Sequence, residues 1–411
     1  MHRIRLLHFA DLHIGIESYG RLDPATGVNE RVLDFLRRFD ELVEYALEQE
    51  ADAVIFAGDA FKTRTPTPTY QRAFARRVKR LADAGIPVLL LAGNHDLPAM
   101  VQQASSVEIF RTLDVPNVVV GWREEIHRLE TRHGPFQVAT LPYPAVQRLL
   151  VHEEYRGLSI EQLDQALQAV ITDNIQALAA QLDPSLPAVL AAHLSVSGAT
   201  YGSERSVMIG RDAVILKSAL ADPAWDYVAL GHIHLHQSLN EGGYPPVVYA
   251  GSMERIDFGE EGQPKGFCQV ELARGDTTWR FIPLRARPFI TVTADIRDAT
   301  DPLIAVQQAV ATHNLNGAVV RLNLRLKPEQ EALVRDRDVR AVLTEAGAYF
   351  IGAINREVER TVRVRLGTLT PEELTDRELL LKYLEAKQTD PQRSELLLRY
   401  AEALFGDSTS G

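Results

Sequence analysis

Short apolar runs alternate with longer stretches of helical periodicity over the first two thirds of the chain. Six of these runs are typical of strands buried on both faces, and they lie at Arg3–Ala10, Ala53–Gly58, Pro87–Gly93, Pro187–Ala192, Tyr227–Gly231 and Val247–Gly251. Amphipathic helices are predicted between them at Arg31–Glu50, Tyr70–Ala84 and Ile160–Leu182. The alternation predicts an α/β fold built on buried sheets.

A second, smaller unit with the same kind of alternation begins after Arg285–Pro288. Its predicted strands and helices lie at Phe289–Ile296, Pro302–His313, Ala318–Lys327, Val334–Ala346 and Ala348–Arg360. Two further helices are predicted to begin at Thr370–Pro371 and Asp390–Pro391, because each pair places an N-cap residue before a proline. We therefore expect three parts: a main domain over residues 1–285, a small α/β domain over 286–366, and a linker with a helical hairpin over 367–411.

Polar side chains with metal-ligand chemistry follow five of the apolar runs. They are Asp11 and His13, Asp59, Asn94 with His95 and Asp96, His193, and His232 with His234. The carboxyl ends of strands in an open α/β sheet share one edge, where ligands bind. Carboxylate, amide and imidazole donors suit divalent first-row metals. Because these donors are too many for one ion, they favour two ions about 3.5–4 Å apart.

The stretch YVALGHIHLHQ places His232, His234 and His236 at alternate positions. In an extended chain all three imidazoles would point to one face. Taken alone, the stretch leaves three interpretations open: one metal bound by all three, several metals, or ordinary polar residues at a strand end. Each of the other short motifs is also common without any function. Five of them in this order, each at a strand end, favour a shared site.

Length, composition and charge set limits on the class of protein. The 411 residues exceed the roughly 250–300 at which one hydrophobic core stops growing, so two or three domains are expected. Cys268 is the only cysteine, no apolar stretch is long enough to cross a bilayer, and the amino-terminal apolar run is short for a signal peptide. We expect a cytoplasmic protein without a membrane segment. The net charge of −11 argues against non-specific binding to nucleic acid, although a metal-dependent enzyme can be acidic.

The ordered motifs DLH, GD, GNHD, H and GHIH resemble the signature of calcineurin-like metallophosphoesterases. Protein phosphatases of that superfamily carry Asp-Arg shortly after GD and Glu after GNH, and this chain differs at both places. The stretches AAHLSVSGATYGSERS and YAGSMERIDFGEEGQPKGF resemble the SbcD family of nuclease subunits more closely. The resemblance implies a double-β-sheet α/β metallophosphoesterase sandwich, a small α/β capping domain and a carboxyl-terminal helical hairpin.

Site residues are carried over from this resemblance motif by motif. It implies that one divalent ion is bound by Asp11, His13 and His234, a second ion by Asn94, His193 and His232, and both ions by Asp59. His236 is then expected to bind no metal. The resemblance also implies that His95 contacts the phosphate and protonates the leaving oxygen, as a histidine titrating near neutral pH can.

Basic residues near these motifs are the candidates for substrate contacts. Relatives usually carry His or Asp at the position of Lys62. Lys62 and Arg64 are therefore interpreted either as contacts for a substrate phosphate or as solvated side chains. The same two interpretations hold for a basic helical stretch with Arg76, Arg77, Lys79 and Arg80.

The function that the resemblance implies is that of a Mn²⁺-dependent DNA nuclease subunit. Such subunits act as 3′–5′ exonucleases on duplex ends and as endonucleases on single strands and hairpins, in DNA repair, recombination and replication. The implied partner is an SbcC-type ATPase that binds the carboxyl-terminal helices, and a homodimer is expected. A small-molecule or nucleotide phosphodiesterase using the same two-metal site is the alternative. A scaffold with a vestigial site is disfavoured because no expected ligand is missing.

Overall fold

Two six-stranded sheets form the larger part of the protein. The computed structural model describes residues 3–98, 103–144, 155, 157–202, 213–359, 375–387 and 389–405. In chain order, the strands of these sheets and of one small pair are β1 (Ile4–Phe9), β2 (Ala53–Phe56), β3 (Val88–Leu91), β4 (Val118–Gly121), β5 (Glu125–Leu129), β6 (Phe136–Leu141), β7 (Ala188–His193), β8 (Ser195–Val196), β9 (Val214–Ile215), β10 (Tyr227–Gly231), β11 (Gln237–Ser238), β12 (Val247–Tyr249), β13 (Gly266–Leu272) and β14 (Thr278–Pro283).

Each sheet contains four parallel strands and two further strands that add antiparallel pairings. The first sheet has the order β14-β13-β1-β2-β3-β4, in which β1 to β4 are parallel and β13 is antiparallel to both neighbours. The second has the order β11-β12-β10-β7-β6-β5, with β12, β10, β7 and β6 parallel and an antiparallel strand at each edge. The strands β8 and β9 form a separate parallel pair.

The two sheets pack face to face, and helices cover their outer faces. Side chains of both sheets, such as Leu6, Ile55, Val189 and Ala229, share one fully buried core. The helices of this part are α1 (Glu30–Glu48), α2 (Pro68–Asp83), α3 (Ile109–Thr112), α4 (Ile160–Ala179) and α5 (Lys217–Leu220). The helices α1 and α2 bury their apolar faces against the first sheet, and α4 buries its apolar face against the second. The predicted double-sheet α/β class is confirmed.

His8 lies buried between the two sheets and makes two hydrogen bonds. Its Nε2 lies 3.2 Å from the Leu230 carbonyl oxygen, and its Nδ1 lies 3.0 Å from the Tyr227 hydroxyl. Both distances suit a neutral ring that donates from Nε2 and accepts at Nδ1. Burial lowers the pKa of His8 to about 3, because a charged imidazole would lose its hydration there.

Replacing His8 with Gln is expected to weaken the dependence of stability on pH. Below pH 6.5 the unfolded imidazole takes up a proton that the folded one does not, so stability decreases as the pH falls from 6.5 towards about 3. Between these two pH values, His8 changes the free energy of unfolding by about 1.4 kcal/mol per pH unit. Urea unfolding at several pH values should give a shallower slope for His8→Gln. Equal slopes for the wild type and His8→Gln would contradict the prediction.

A third sheet follows the two-sheet part in sequence. Its parallel strands β15 (Phe289–Asp295), β16 (Val319–Leu326) and β17 (Phe350–Val358) lie in that order. The helices α6 (Pro302–Ala311) and α7 (Asp336–Glu345) share a separate hydrophobic core with these strands. In the segment before β15, Arg287 makes a bidentate contact of 2.6 and 2.8 Å with Asp34 of α1. The third-sheet unit, residues 289–358, is thereby attached to the first sheet's helix layer.

Two helices that pack against each other end the described chain. They are α8 (Asp376–Ala386), which Thr375 caps, and α9 (Pro391–Phe405). Thr370 and Pro371, the predicted start of the first helix, lie outside the described residues. Within the described ranges, none of the helices combines the length and the apolar character that a membrane crossing needs.

Candidate metal centre

Loops from both sheets meet at the carboxyl edge of their parallel strands. Asp11 and His13 follow β1, Asp59 follows β2, and Asn94 and His95 follow β3, all in the first sheet. His193 ends β7, and His232 and His234 follow β10, both in the second sheet. The edge predicted from the strand ends therefore belongs to two facing sheets, and the structure brings all seven candidate ligands together there.

Asp11, His13 and His234 form one cluster of potential ligand atoms, the Asp11 group. Their ligand atoms all lie within 4.8 Å of one another. Nε2 of His13 lies 3.0 Å from Nε2 of His234. Nδ1 of His234 donates to Glu260 Oε1 at 2.8 Å, so the lone pair of His234 is on Nε2 and faces His13. The group offers nitrogen and oxygen donors suited to a divalent cation.

A second cluster, the His193 group, consists of Asp59, Asn94, His193 and His232. Ligand atoms of Asp59, His193 and His232 lie within 4.8 Å of one another. The Asn94 amide oxygen lies 3.0 Å from both His193 Nε2 and His232 Nδ1. His193 Nδ1 donates a hydrogen bond to the Ala57 carbonyl oxygen at 2.7 Å. The lone pair of the ring is therefore on Nε2, which is the atom that can bind a metal. This set also fits a divalent cation.

Asp59 belongs to the His193 group and also lies close to the Asp11 group. Its Oδ2 is 3.7 Å from His13 Nε2 and 3.4 Å from His193 Nε2. Its Oδ1 accepts the backbone N–H of His95 at 2.8 Å, which orients the carboxylate. Burial alone would raise the pKa of Asp59, but the imidazoles around it, His193 above all, hold that pKa well below its usual range. The carboxylate is therefore ionised and within reach of both groups.

Four of the candidate ligands have left-handed backbone conformations. Asp11, His13, Asp59 and His232 have φ angles of 53°, 44°, 65° and 98°. Such conformations are unfavourable for residues other than glycine and gather at functional sites. Hydrogen bonds between the loops hold them: the backbone N–H of Asp11 donates to Gly58 and that of His232 to the Asp11 carboxylate, at 3.0 and 3.1 Å.

Asp96 ties the loops after β2 and β3 together. Its carboxylate accepts the backbone N–H groups of Asp59, Ala60 and Gly93 at 2.8 to 3.1 Å. Burial, followed by the Asp59 charge, raises the pKa of Asp96 to about 6. A Cβ on Gly93 would lie 2.2 Å from Asp59 Oδ1, so only glycine permits this approach. Asp96 therefore connects these loops, and its carboxylate makes no hydrogen bond to the His95 ring.

His95 lies beside the Asp11 group and is partly exposed. Its Nδ1 is 2.7 Å from the Lys62 carbonyl oxygen, and its ring centroid is 4.9 Å from that of His13. The carbonyl fixes the proton on Nδ1, so Nε2 is the ring atom available to a substrate. The Lys62 and Arg64 side chains are exposed at the rim, where Arg64 Nε lies 3.5 Å from the Asn94 carbonyl oxygen.

His236 lies apart from both groups. Its Nδ1 is 2.9 Å from the Tyr249 carbonyl oxygen, and its ring stacks on Phe281 with the centroids 4.0 Å apart. The three potential metal-binding clusters among the described residues do not include it. The structure thus gives His236 packing and hydrogen-bond partners away from the candidate ligands.

Glu260 and Lys265 both form hydrogen bonds with His234, and neither residue was predicted from the sequence. Both side chains are buried, and Glu260 Oε2 is 3.0 Å from Lys265 Nζ. Lys265 also donates to the His234 carbonyl oxygen at 3.2 Å. The stretch YAGSMERIDFGEEGQPKGF contains both residues, and its charged residues among glycines after a buried strand could have indicated a role at the site.

The basic side chains of α2 are largely paired with carboxylates. Arg77 lies 2.6 Å from Asp40 and Arg80 lies 2.9 Å from Glu44, both across to α1, and Lys79 lies 2.7 Å from Asp83. These pairs favour the solvated-surface interpretation over a path for DNA.

A sandwich of two sheets with oxygen and nitrogen donors at their shared edge is the arrangement expected of a metallophosphoesterase. The chain belongs to the calcineurin-like phosphoesterase family, whose profile it matches over residues 4–236, and the predicted family is confirmed. It is 32% identical over 280 residues to the SbcD component of the SbcCD nuclease of Escherichia coli K12, and equally to that of Escherichia coli O157:H7. These alignments cover 66% of this chain and 66% of each relative, just under two thirds of the relatives' length.

Two solved structures are also similar to the chain at a low level. A dimetal phosphatase from Danio rerio is 12% identical, with a TM-score of 0.40, over 69% of this chain and 97% of that one. A protein from Thermus thermophilus is 14% identical, with a TM-score of 0.38, over 68% of this chain and 99% of that one.

Proposed function

We propose that this chain is a two-metal phosphodiesterase that hydrolyses DNA. The observation that carries the proposal is the pair of donor groups joined by the ionised Asp59. We assign one ion to Asp11, His13 and His234, a second ion to Asn94, His193 and His232, and Asp59 to both. Mn²⁺ is the proposed metal because the resemblance to the SbcD family implies it; the mixed oxygen and nitrogen donors also suit iron, cobalt and zinc. Two bound divalent ions supply an activated water and neutralise charge on the phosphoryl oxygens.

His95 is the proposed catalytic residue. With Nδ1 bonded to the Lys62 carbonyl oxygen, its Nε2 can hold a proton and donate it to the leaving oxygen of the phosphodiester. Lys62 and Arg64 at the rim are proposed to contact neighbouring phosphates, Lys62 as a point charge and Arg64 through its planar guanidinium group.

DNA is the proposed substrate because the similar Escherichia coli protein is named a nuclease subunit. The net charge of −11 and the paired basic residues of α2 favour the alternative, a small-molecule or nucleotide phosphodiesterase. Cleavage of a fluorescent DNA hairpin is to be compared with cleavage of bis-p-nitrophenyl phosphate, both with Mn²⁺. Hydrolysis of the small ester without cleavage of DNA would favour the alternative.

We further propose the division of the chain stated from its sequence, with residues 1–285 as the nuclease domain, 286–366 as a capping domain and 367–411 as a linker and partner-binding hairpin. The proposed partner is an SbcC-type ATPase, and the proposed assembly is a cytoplasmic homodimer acting in DNA repair and recombination. Exposed apolar side chains on α9 support the hairpin's role: Leu396, Leu397 and Tyr400 are 52%, 40% and 68% exposed. Such a surface favours a helix-in-groove contact.

Deleting the chain from Thr370 onward is expected to leave Mn²⁺-dependent cleavage of short single strands intact. It should abolish co-purification with the ATPase and any ATP-stimulated cleavage of duplex ends, because the exposed apolar surface of α9 is removed. The double variant Leu396→Ser with Tyr400→Ser should have the same effect. Its control is Glu395→Ser with Arg399→Ser, an exposed ion pair at the same spacing on the same helix. Loss of all activity in the truncated protein would assign the hairpin to the fold instead.

A further inference from the structure

A short turn lies between the metal centre and the third-sheet unit and touches both. It consists of Asp257 and the 3-10 helix Phe258–Glu260, followed by Glu261. The Asp257 side chain caps it by accepting the Gly259 N–H at 2.8 Å. These five residues, 257–261, are called the bridging turn here.

On one side of the bridging turn, Glu260 holds His234. The buried carboxylate accepts the His234 Nδ1–H at 2.8 Å, and its other oxygen accepts the Ile256 N–H at 2.8 Å and lies 3.0 Å from Lys265 Nζ. Lys265 donates in turn to Ser252 Oγ at 2.7 Å. A carboxylate bonded to the second nitrogen of a ligating histidine sets the tautomer and direction of the ring and increases its basicity.

On the other side, Phe258 and Glu261 contact strands of the third-sheet unit. The Phe258 ring packs edge-on against Phe289 of β15, with the centroids 5.0 Å apart. The guanidinium carbon of Arg321, on β16, lies 4.5 Å from the Phe258 ring centroid. Glu261 Oε1 accepts the Thr291 N–H at 2.7 Å, and Arg321 NH2 donates to Thr291 Oγ1 at 2.8 Å.

We propose that the bridging turn couples the position of the third-sheet unit to the metal centre, with Glu260 as the positioning residue for His234. Glu260 and Glu261 are adjacent and lie in a capped turn, so a shift of β15 and β16 that moves Glu261 also moves the Glu260 carboxylate. His234 follows because its ring and its carbonyl oxygen are both held by the Glu260–Lys265 pair. A substrate that contacts the third-sheet unit would thereby change metal affinity, and metal binding would change substrate affinity by the same factor.

This inference rests on the proposed metal binding, so its test measures Mn²⁺ affinity directly, in the full chain and without substrate. Glu260→Gln should weaken one of two Mn²⁺ sites by about 10- to 100-fold in calorimetry and leave the other unchanged. The visible absorption of the Co²⁺-loaded protein should change as well, since it reports ligand geometry. Because Glu260→Gln leaves Lys265 buried without its carboxylate, Glu260→Gln with Lys265→Met is measured beside it. The double variant should show a loss at the same site that is at least as large, since Lys265 also donates to the His234 carbonyl oxygen.

The coupling itself is tested from the side of the third sheet. Arg321→Ala and Glu261→Ala, which lie outside both donor groups, should weaken the same Mn²⁺ site by about 3- to 30-fold. The matched control is Arg325→Ala, on the same strand and the same face but paired with Glu357 at 3.0 Å instead of contacting the bridging turn. Wild-type affinity in Arg321→Ala, or an equal loss in Arg325→Ala, would overturn the coupling. Two unchanged sites in both Glu260 variants would overturn the positioning role.

These outcomes are separate from those of the proposed function. A wild-type protein that binds two Mn²⁺ ions without cleaving DNA contradicts the proposed substrate, and the titrations of Arg321→Ala and Arg325→Ala still decide the coupling. A wild-type protein that binds no divalent ion overturns both.

Discussion

Asp59→Asn is expected to abolish hydrolysis and to reduce the number of Mn²⁺ ions bound per chain. Asp59 is the only candidate ligand that we assign to both ions, and an amide carries neither its charge nor a second oxygen. The Asn oxygen can still accept the His95 N–H that Asp59 accepts at 2.8 Å, so the loop should keep its conformation. Calorimetric titration with Mn²⁺ should give two sites in the wild type and fewer in the variant.

The histidines after β10 provide the matched comparison for this prediction. His232→Ala should also abolish hydrolysis and remove a site, because His232 belongs to the His193 group. His236→Ala should stay within a few-fold of wild type, since its ring stacks on Phe281 and bonds to the Tyr249 carbonyl oxygen. If His236→Ala were as inactive as His232→Ala, the assignment of the three histidines would be wrong.

His95→Gln should keep both metal ions and lose about 10²- to 10⁴-fold in turnover of DNA, the usual contribution of general acid–base catalysis. The variant should still bind two Mn²⁺ ions in calorimetry and in anomalous scattering. A missing ion would show that His95 is a ligand. The measurement decides this point, because ligand atoms of His13, Asp59 and His95 also lie within 4.8 Å of one another.

The choice of substrate separates proton donation from other roles of His95. The leaving group of bis-p-nitrophenyl phosphate departs as a stable anion and needs little protonation. His95→Gln should therefore lose much less activity on this ester than on DNA. An equal loss on both substrates would mean that His95 binds the phosphate and does not act as the acid.

The central strands and their chemistry were predictable because their signals are local. A parallel strand buried on both faces requires a continuous apolar run, and five of the six runs end in residues that form the site. The antiparallel strands β5, β11, β13 and β14 and the parallel strands β4 and β6 were not predicted. Strand β14 is at an edge and only partly buried, so its side chains follow no continuous apolar pattern.

The sequence alone determined the α/β class, the five strand-end motifs and the types of donor they carry, because these depend on residues close together in the chain. Only the tertiary structure decided that the motifs come from two facing sheets and which donors share a group. His13 and His234 meet at 3.0 Å although 221 positions separate them, and no local pattern encodes that contact. The same holds for Glu260, whose role depends on burial beside Lys265 and contact with His234. Long-range packing of the two sheets brings these ligand-type residues together as two donor groups joined by Asp59.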